Sequence, residues 1–316
     1  MKLSDNTIGV CLVTYNQENY IGQAVESVLR QKCTSPIVLY IGQDCSTDNT
    51  KAMCEKYATT YPDKVILINR ESNQGLVGNT MSLLSQMRVD GCKYIAMLDG
   101  DDYWCDDYKL QKQMEVFAKH TDCGLVHTSV DVLRPYGLCQ DNRTKETYGN
   151  VFNEIESYRI SNCTVVFKTE LLDLIDFKEF MGQGFMSCDY VMYAIFASKV
   201  PFAFIPARTA VWRRVLESVS NKHDVQRQID YVRNDLAMWR YLAHLFPPRW
   251  SYDNQSAENY LHFCSFKIAF RLGDRQRCMK EYRLLSKGSR KGIQLKYLAA
   301  HSKSLTYLWR KWKHYI

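Results

Sequence analysis

No run of apolar residues in this chain approaches the ~20 that a membrane-spanning helix requires, and there is no Cys-x-x-Cys pair, internal repeat or low-complexity tract. The first absence argues against an integral membrane protein. The second removes the spacing expected of a structural zinc site or a redox dithiol. The opening residues Met1-Lys2-Leu3-Ser4-Asp5-Asn6 lack the apolar core of a secretory signal, so a cytoplasmic location is expected. The twelve cysteines are scattered singly, and several, such as Cys11, Cys92 and Cys163, lie in apolar runs. That distribution suits reduced thiols used as small hydrophobes. Each end of the chain is also short of one charge: the first 220 residues hold 22 Lys and Arg against 27 Asp and Glu, the remainder 19 against 7. The net charge of +7 therefore belongs to the C-terminal part alone, which implies an anionic partner or surface for that part.

At 316 residues, with 46% hydrophobic and 24% charged, the chain can bury one large core or two modest ones. Residues 7–14, 36–42, 64–69 and 93–98 read as short buried strands, and 19–32, 47–60 and 76–88 carry apolar residues at helical spacing. Strands alternating with helices of that length predict parallel βαβ units. Further on, 123–132 and 161–168 read as strands, 134–150 as a polar loop, 188–199 as a helix, and 201–206 with 208–214 as a strand pair. Beyond about 222 the pattern is helical. The predicted strands end in polar residues at Thr14-Tyr15-Asn16 and at Asp44, with Ser46 and Thr47 where a helix N-cap would stand. Polar residues gathered along one edge of a parallel sheet make a nucleotide crevice.

The sharpest feature is Tyr94-Ile95-Ala96-Met97-Leu98-Asp99-Gly100-Asp101-Asp102-Tyr103-Trp104, an apolar run that breaks into three carboxylates within four residues. Carboxylates that close repel one another unless a cation or a bank of donors sits among them, and hard oxygen ligands favour Mg2+ or Mn2+. An ion there would hold a diphosphate. The plainer reading is a solvated turn into a helix, with Asp106 or Asp107 as its N-cap.

Taken in order, Val13-Thr14-Tyr15-Asn16, Ala24-Val25-Glu26-Ser27-Val28-Leu29-Arg30-Gln31, Asp44-Cys45-Ser46-Thr47-Asp48, Asn73-Gln74-Gly75-Leu76, the acidic segment and Lys109-Leu110-Gln111-Lys112-Gln113 form a series. It resembles the family 2 glycosyltransferases of the glycosyltransferase A fold, especially bacterial enzymes of capsule, O-antigen and other surface polysaccharides. The likeness covers roughly residues 7–220 and implies a mixed, mostly parallel α/β catalytic domain over 1–220, followed by an α-helical basic region over 221–316. It implies metal-dependent, inverting transfer of a sugar from a nucleoside diphosphate sugar, uridine-linked, to a glycan hydroxyl on a polyprenyl-linked acceptor. On this resemblance Thr14, Tyr15, Asn16, Asp44 and Asn73 line the nucleotide pocket, with Asp44 accepting from the uracil imide. Asp99 contacts ribose or metal, Asp101 ligates Mn2+ or Mg2+, Arg213 touches phosphate, and Asp189, in Gly182-Gln183-Gly184-Phe185-Met186-Ser187-Cys188-Asp189-Tyr190, is the general base. The family's histidine after the Trp212-Arg213 element falls on Val215, which leaves a third metal ligand open, with His223 the nearest substitute. The family's Ala-Arg-Asn is here Val77-Gly78-Asn79, and Cys45 stands where a glycine or acid is common.

Two other functions fit parts of the pattern. A sugar-phosphate nucleotidyltransferase calls for a glycine-rich basic loop after the first strand, which Thr14-Tyr15-Asn16-Gln17-Glu18-Asn19 is not. A non-catalytic sugar-nucleotide-binding subunit has no need of the acids. From Arg271 to Ile316 there are 13 Lys and Arg against 2 Asp and Glu, interleaved with Tyr282, Leu285, Ile293, Tyr297, Trp309 and Trp312. Such helices suit the inner face of a cytoplasmic membrane, and equally packing on the catalytic domain or on a second copy in a homodimer. Nucleic acid is not expected, because no recognition fold accompanies the charge.

Overall fold

In the computed structural model, which describes residues 4–152, 160–214, 224–247, 250–291 and 293–300, the first apolar run forms β1 (Ile8–Thr14), all of it buried. Continuous rather than alternating hydrophobicity is what a parallel strand covered on both faces requires. Parallel to it run β2 (Ile37–Gln43), β3 (Val65–Asn69) and β4 (Tyr94–Asp99), giving the order β3-β2-β1-β4. The crossovers are α1 (Ile21–Leu29), α2 (Thr50–Thr60) and α3 (Gly75–Val89). Ile21, Ala24, Val25 and Val28 of α1 fall one helical turn apart and pack with Ile8, Val10 and Leu12 in the main core. On the side of α3, a Cβ added at Gly42 would come within 2.5 Å of Asn79 Oδ1 and 2.9 Å of Leu83 Cδ1, so the strand and α3 touch because no side chain stands there.

The rest of the sheet departs from this pattern. After β5 (Tyr103–Trp104) and α4 (Lys109–Lys119) come β6 (Leu125–Arg134), β7 (Gly137–Cys139), β8 (Thr147–Gly149) and β9 (Val166–Lys168). β9 lies antiparallel between β4 and β6, and β10 (Phe202–Arg213) runs parallel to β6. Two sequence expectations need correction. The polar stretch 134–150 is not all loop, since it contributes β7 to β6 and β8 to β10. The expected strand pair 201–206 and 208–214 is a single strand, β10, with register shifts between Ile205 and Ala210. Pro206 lacks the N–H that a regular ladder needs, and the bulge absorbs it without ending the strand. The helix expected at 188–199 is α6 (Asp189–Ala197), preceded by the short α5 (Phe177–Gly182).

The chain divides into two units, Met1–Val215 and Leu216–Ile316. In the second, α7 (Val225–Leu245), α8 (Asn254–Leu272) and α9 (Arg275–Leu284) are N-capped by Asp224, Asp253 and Asp274, whose side chains accept first-turn N–H groups. Two short helices follow, α10 (Lys287–Lys291) and α11 (Gln294–Ala300). Their core gathers Phe266, Ala269, Phe270, Cys278, Leu285 and Ile293, and Tyr282 stacks on Tyr297 at 3.7 Å. Part of the aromatic and aliphatic stripe is thus packed within the unit, while Leu284 is exposed. No helix among the described residues is long and apolar enough to cross a membrane. All twelve cysteines are unpaired, and most are buried.

Candidate active site

The chain leaves β3, skips over β2 and β1, and enters β4 on the far side of β1, which puts the topological switch of the sheet between β1 and β4. Side chains at the carboxyl ends of those two strands face the crevice such a switch opens. In register, Val13 pairs with Asp99 and Thr14 with Gln43, so the three strand ends singled out in the sequence are neighbours. The Gly100 N–H donates to the Val13 carbonyl (2.9 Å) and the Asp44 N–H to the Thr14 carbonyl (3.0 Å). A Cβ at Gly100 would meet Gln17 Oε1 and lie 2.8 Å from Thr14 Cβ and Oγ1, so only glycine lets the acidic loop sit this close to the first strand.

The loops after β1 and β2 lock together. Asn16 and Cys45 both take left-handed backbone, with φ of 51° and 59°. Asn16 Oδ1 accepts from the Thr47 N–H at 2.8 Å, and the Asn16 N–H donates to Ser46 Oγ at 3.1 Å. Ser46 and Thr47 therefore serve the partner loop; the helix start itself is held by Asp48, whose Oδ1 accepts from the Thr50 N–H at 3.0 Å. Thr14 Oγ1 donates to Gln17 Oε1 (2.8 Å), while Tyr15 stands 45% exposed at the crest, free to stack on a planar ligand. Asp44 is buried. Its Oδ1 accepts from the Gln74 N–H at 2.7 Å, and its carbonyl accepts from Asn73 Nδ2 at 3.2 Å. Asn73 Oδ1 takes the Gly75 N–H, so its amide is committed to shaping this loop around Asp44.

The three acids of the β4 loop have different surroundings. Asp99 accepts from Asn162 Nδ2 through both oxygens, at 3.3 and 3.2 Å. Burial first, then the neighbouring Asp101 charge and more weakly Asp189, raise its pKa to about 7 against the pull of that amide. Asp101 is also raised by burial, and its own backbone N–H, then Arg213 and a hydrogen bond from Gln17, pull it back. Asp102 faces inward, where its Oδ1 accepts the Arg213 N–H at 2.9 Å. The Arg213 guanidinium donates to the Asp101 carbonyl at 2.6 Å and to Gln23 Oε1, and lies 4.5 Å over the Tyr103 ring. Arg213 thus ties β10 to the acidic loop. Asp106 makes a turn ahead of α4, its Oδ1 accepting the Tyr108 N–H at 2.9 Å, but the expected N-cap at Asp106 or Asp107 is not formed, since the capping position is Tyr108 and no side chain caps the helix.

Asp189 opens α6. Burial raises its pKa, and the backbone N–H groups of Tyr190 and Asp189 itself and the Ser187 hydroxyl moderate the rise. Its charge adds a minor part to the rise at Asp99. Val215 and His223, between which the question of a third metal ligand lay, fall outside the described residues.

The sequence comparison agrees with this geometry. The model of Glycosyl transferase family 2 matches residues 9–174, from the start of β1 through the acidic loop and past β9. The chain belongs to this family. An uncharacterised Mycobacterium tuberculosis protein, Rv1520, is 33% identical over 126 residues, covering 40% of this chain and 36% of that one. The dTDP-rhamnosyl transferase RfbG of Shigella flexneri is 28% identical over 173 residues, covering 54% of this chain and 57% of that one. The chain therefore spans well under two thirds of the length of these curated relatives. Among solved structures, the mannosyltransferase PcManGT of Pyrobaculum calidifontis, in complex with GDP-Man and Mn2+, superposes with a TM-score of 0.57 at 17% identity, covering 98% of this chain and 84% of that one. The family resemblance read from the motifs is borne out, and the first unit has the glycosyltransferase A fold, with the mostly parallel sheet expected of this family.

Among the described residues no group of three or more His, Cys, Asp or Glu side chains is arranged to hold a metal. Asp99 and Asp101 still suit Mg2+ or Mn2+, because such ions take one or two carboxylates and fill the rest of their shell with substrate phosphates and water. The Asp101 charge that adds to burial in raising Asp99 is a repulsion that a cation bound there would relieve.

Sequence reading missed the layer behind the acids. Trp104 is fully buried; its Nε1 donates to the Cys163 carbonyl at 2.8 Å, and Lys109 Nζ lies 4.4 Å from its ring. Lys109 is buried too, donating to Gln113 Oε1 at 2.8 Å, and burial lowers its pKa to about 7. Gln113 Nε2 then donates to the Val126 and Thr164 carbonyls, both at 2.9 Å. The Lys109 to Gln113 motif was legible as a family mark, but its role as the floor of the acidic loop was not. Asn162 and Tyr193 carried no sequence signal at all.

Proposed function

We propose that this family 2 glycosyltransferase moves one sugar, with inversion, from a uridine diphosphate donor to a hydroxyl of a polyprenyl-linked glycan in surface polysaccharide synthesis. The observation that carries the reading is the register of β1 against β4, which sets the polar end of one strand beside Asp99 at the switch of the sheet. Tyr15 stacks on the base, and Asn16 holds the pocket rim. Asp44, with Oδ1 already held by the Gln74 N–H, turns its other oxygen to the imide N–H of uracil. Thymine offers the same imide, and the Shigella relative is named for a dTDP donor; a nucleotide panel ranks the two.

Asp99 and Asp101 would hold Mn2+ or Mg2+, which when bound neutralises the departing diphosphate. Arg213 keeps the backbone of that loop in place through the Asp101 carbonyl, and its remaining guanidinium N–H groups would reach the phosphate. Asp189 takes the proton of the acceptor hydroxyl as it attacks the anomeric carbon. Its raised pKa gives a base strong enough to compete for that proton, provided the pH keeps it ionised. The basic C-terminal unit would rest against the inner face of the membrane that carries the acceptor. Asp189→Asn tests the reading. Binding of UDP with Mn2+ should stay within about twofold of wild type while transfer falls by about 10²–10⁴, the usual contribution of a positioned base. Unaltered turnover would remove Asp189 from the mechanism.

A further inference from the structure

The helix that carries Asp189 is otherwise apolar where it meets the sheet. Val191, Met192, Ala194, Ile195, Phe196 and Ala197 are all buried, and so is Tyr193, 2% exposed. Packing alone would be served as well by phenylalanine. A phenol hydroxyl taken out of water without a partner costs about 1–3 kcal/mol, so its presence calls for a bond worth making. That bond is to Asn162, whose Oδ1 accepts from Tyr193 Oη at 2.7 Å. With its oxygen committed, the Asn162 amide can turn only its nitrogen to Asp99, and it donates there to both carboxylate oxygens at 3.3 and 3.2 Å.

Asn162 is itself held by the packing of its turn. It opens the single 3-10 turn Asn162–Thr164 that leads into β9, and that turn is gripped from behind by Trp104 Nε1 on the Cys163 carbonyl and Gln113 Nε2 on the Thr164 carbonyl. Asp189 and Tyr193 are four residues apart on α6, hence on one face and about 6 Å apart along the axis. A rigid turn on the sheet therefore reaches α6 one helical turn from the proposed base, and reaches β4 at the proposed metal-side acid.

We propose that Tyr193 and Asn162 are positioning residues, a buried strut of hydrogen bonds that sets where Asp189 stands relative to Asp99. The two acids belong to separate elements, one on the acceptor side and one on the donor side of the reaction, and this chain of contacts joins Asp99 to the helix that carries Asp189, one turn from it. A base displaced by about 1 Å loses about a hundredfold in rate, so a strut in this place acts on turnover rather than on donor binding. The inference rests on the reading of Asp189 as base given above.

The test uses the full chain with Tyr193→Phe, Asn162→Ala and the double variant. Tyr193→Phe preserves shape and is expected to fold. Release of UDP from a panel of UDP-glucose, UDP-galactose and UDP-N-acetylglucosamine reports turnover, calorimetry with UDP and Mn2+ reports donor binding, and amide exchange over residues 193–197 of the metal-free chain reports the seating of α6. Tyr193→Phe should slow turnover about tenfold or more, leave UDP affinity within about twofold and speed exchange in α6; Asn162→Ala, which also releases Asp99, should slow turnover and speed exchange at least as much, and the double variant should be no slower than the worse single one. Full turnover in Tyr193→Phe, losses that multiply in the double variant, UDP affinity that falls in step with turnover in Tyr193→Phe, or unchanged exchange would each overturn the strut. Asp189→Asn separates the two readings: an inactive Asp189→Asn beside a fully active Tyr193→Phe sinks the strut alone, whereas an active Asp189→Asn sinks the base and leaves the strut nothing to position.

Discussion

Cys45 sits beside Asp44 with a φ of 59°, a conformation that costs an ordinary side chain about 1–2 kcal/mol and glycine almost nothing. Of the glycine or acid common there in the family, the glycine suits this backbone without strain. Cys45→Gly should be neutral or slightly stabilising, since relief of strain offsets the added freedom of the unfolded chain, while Cys45→Val should lose more than about 1 kcal/mol in urea unfolding. Equal stability of the two would mean that the loop carries no strain at this position. Asp99 gives a second residue-level test. A carboxyl whose folded pKa, about 7, lies above its unfolded value near 4 binds its proton more tightly when folded. Its contribution is favourable below pH 4 and is lost as pH rises toward 7. Asp99→Asn should therefore raise the metal-free melting midpoint by a few degrees at pH 8 and leave it unchanged at pH 4. A midpoint that falls at pH 8 would contradict the crowding of acids at this rim.

The elements show where pattern reading succeeds. β1 to β4 and α1 to α3 follow from continuous apolar runs and 3.6-residue spacing, most plainly β1 and α1, which are buried on the faces their sequences mark. β7 and β8 were illegible, since three-residue strands with mostly exposed side chains leave no hydrophobic period to read. β10 was read as two strands because Pro206 is a valid stop signal that a bulge can override. The polar strand ends were legible as positions along the crest. The direction each side chain takes was not, because Asp102 turning inward and Arg213 bracing the loop depend on β10, a strand more than a hundred residues away. The contact of the acidic loop with the first strand is itself testable. Gly100→Ala places a methyl against Thr14 and should cost about 1–3 kcal/mol while weakening UDP binding about tenfold. Wild-type binding in a destabilised Gly100→Ala would detach the loop from the nucleotide pocket.

Over the whole molecule, opposite charges separate into the two units, a feature plain in composition and independent of fold. If the basic unit meets an anionic bilayer, the full chain should sediment with phosphatidylglycerol vesicles at low salt, release from them near 0.5 M NaCl, and ignore phosphatidylcholine. Sedimentation with both lipids or with neither would assign the charge to ordinary solvation. The account as a whole stands on a cation held by the β4 acids and, through it, a nucleoside diphosphate. Calorimetric titration of UDP into the full chain, with Mn2+ and then with EDTA, tests that most directly when repeated on Asp101→Asn. The expected result is binding strengthened at least about tenfold by Mn2+ in wild type and indifferent to Mn2+ in the variant; equal affinity with and without metal in wild type would contradict it.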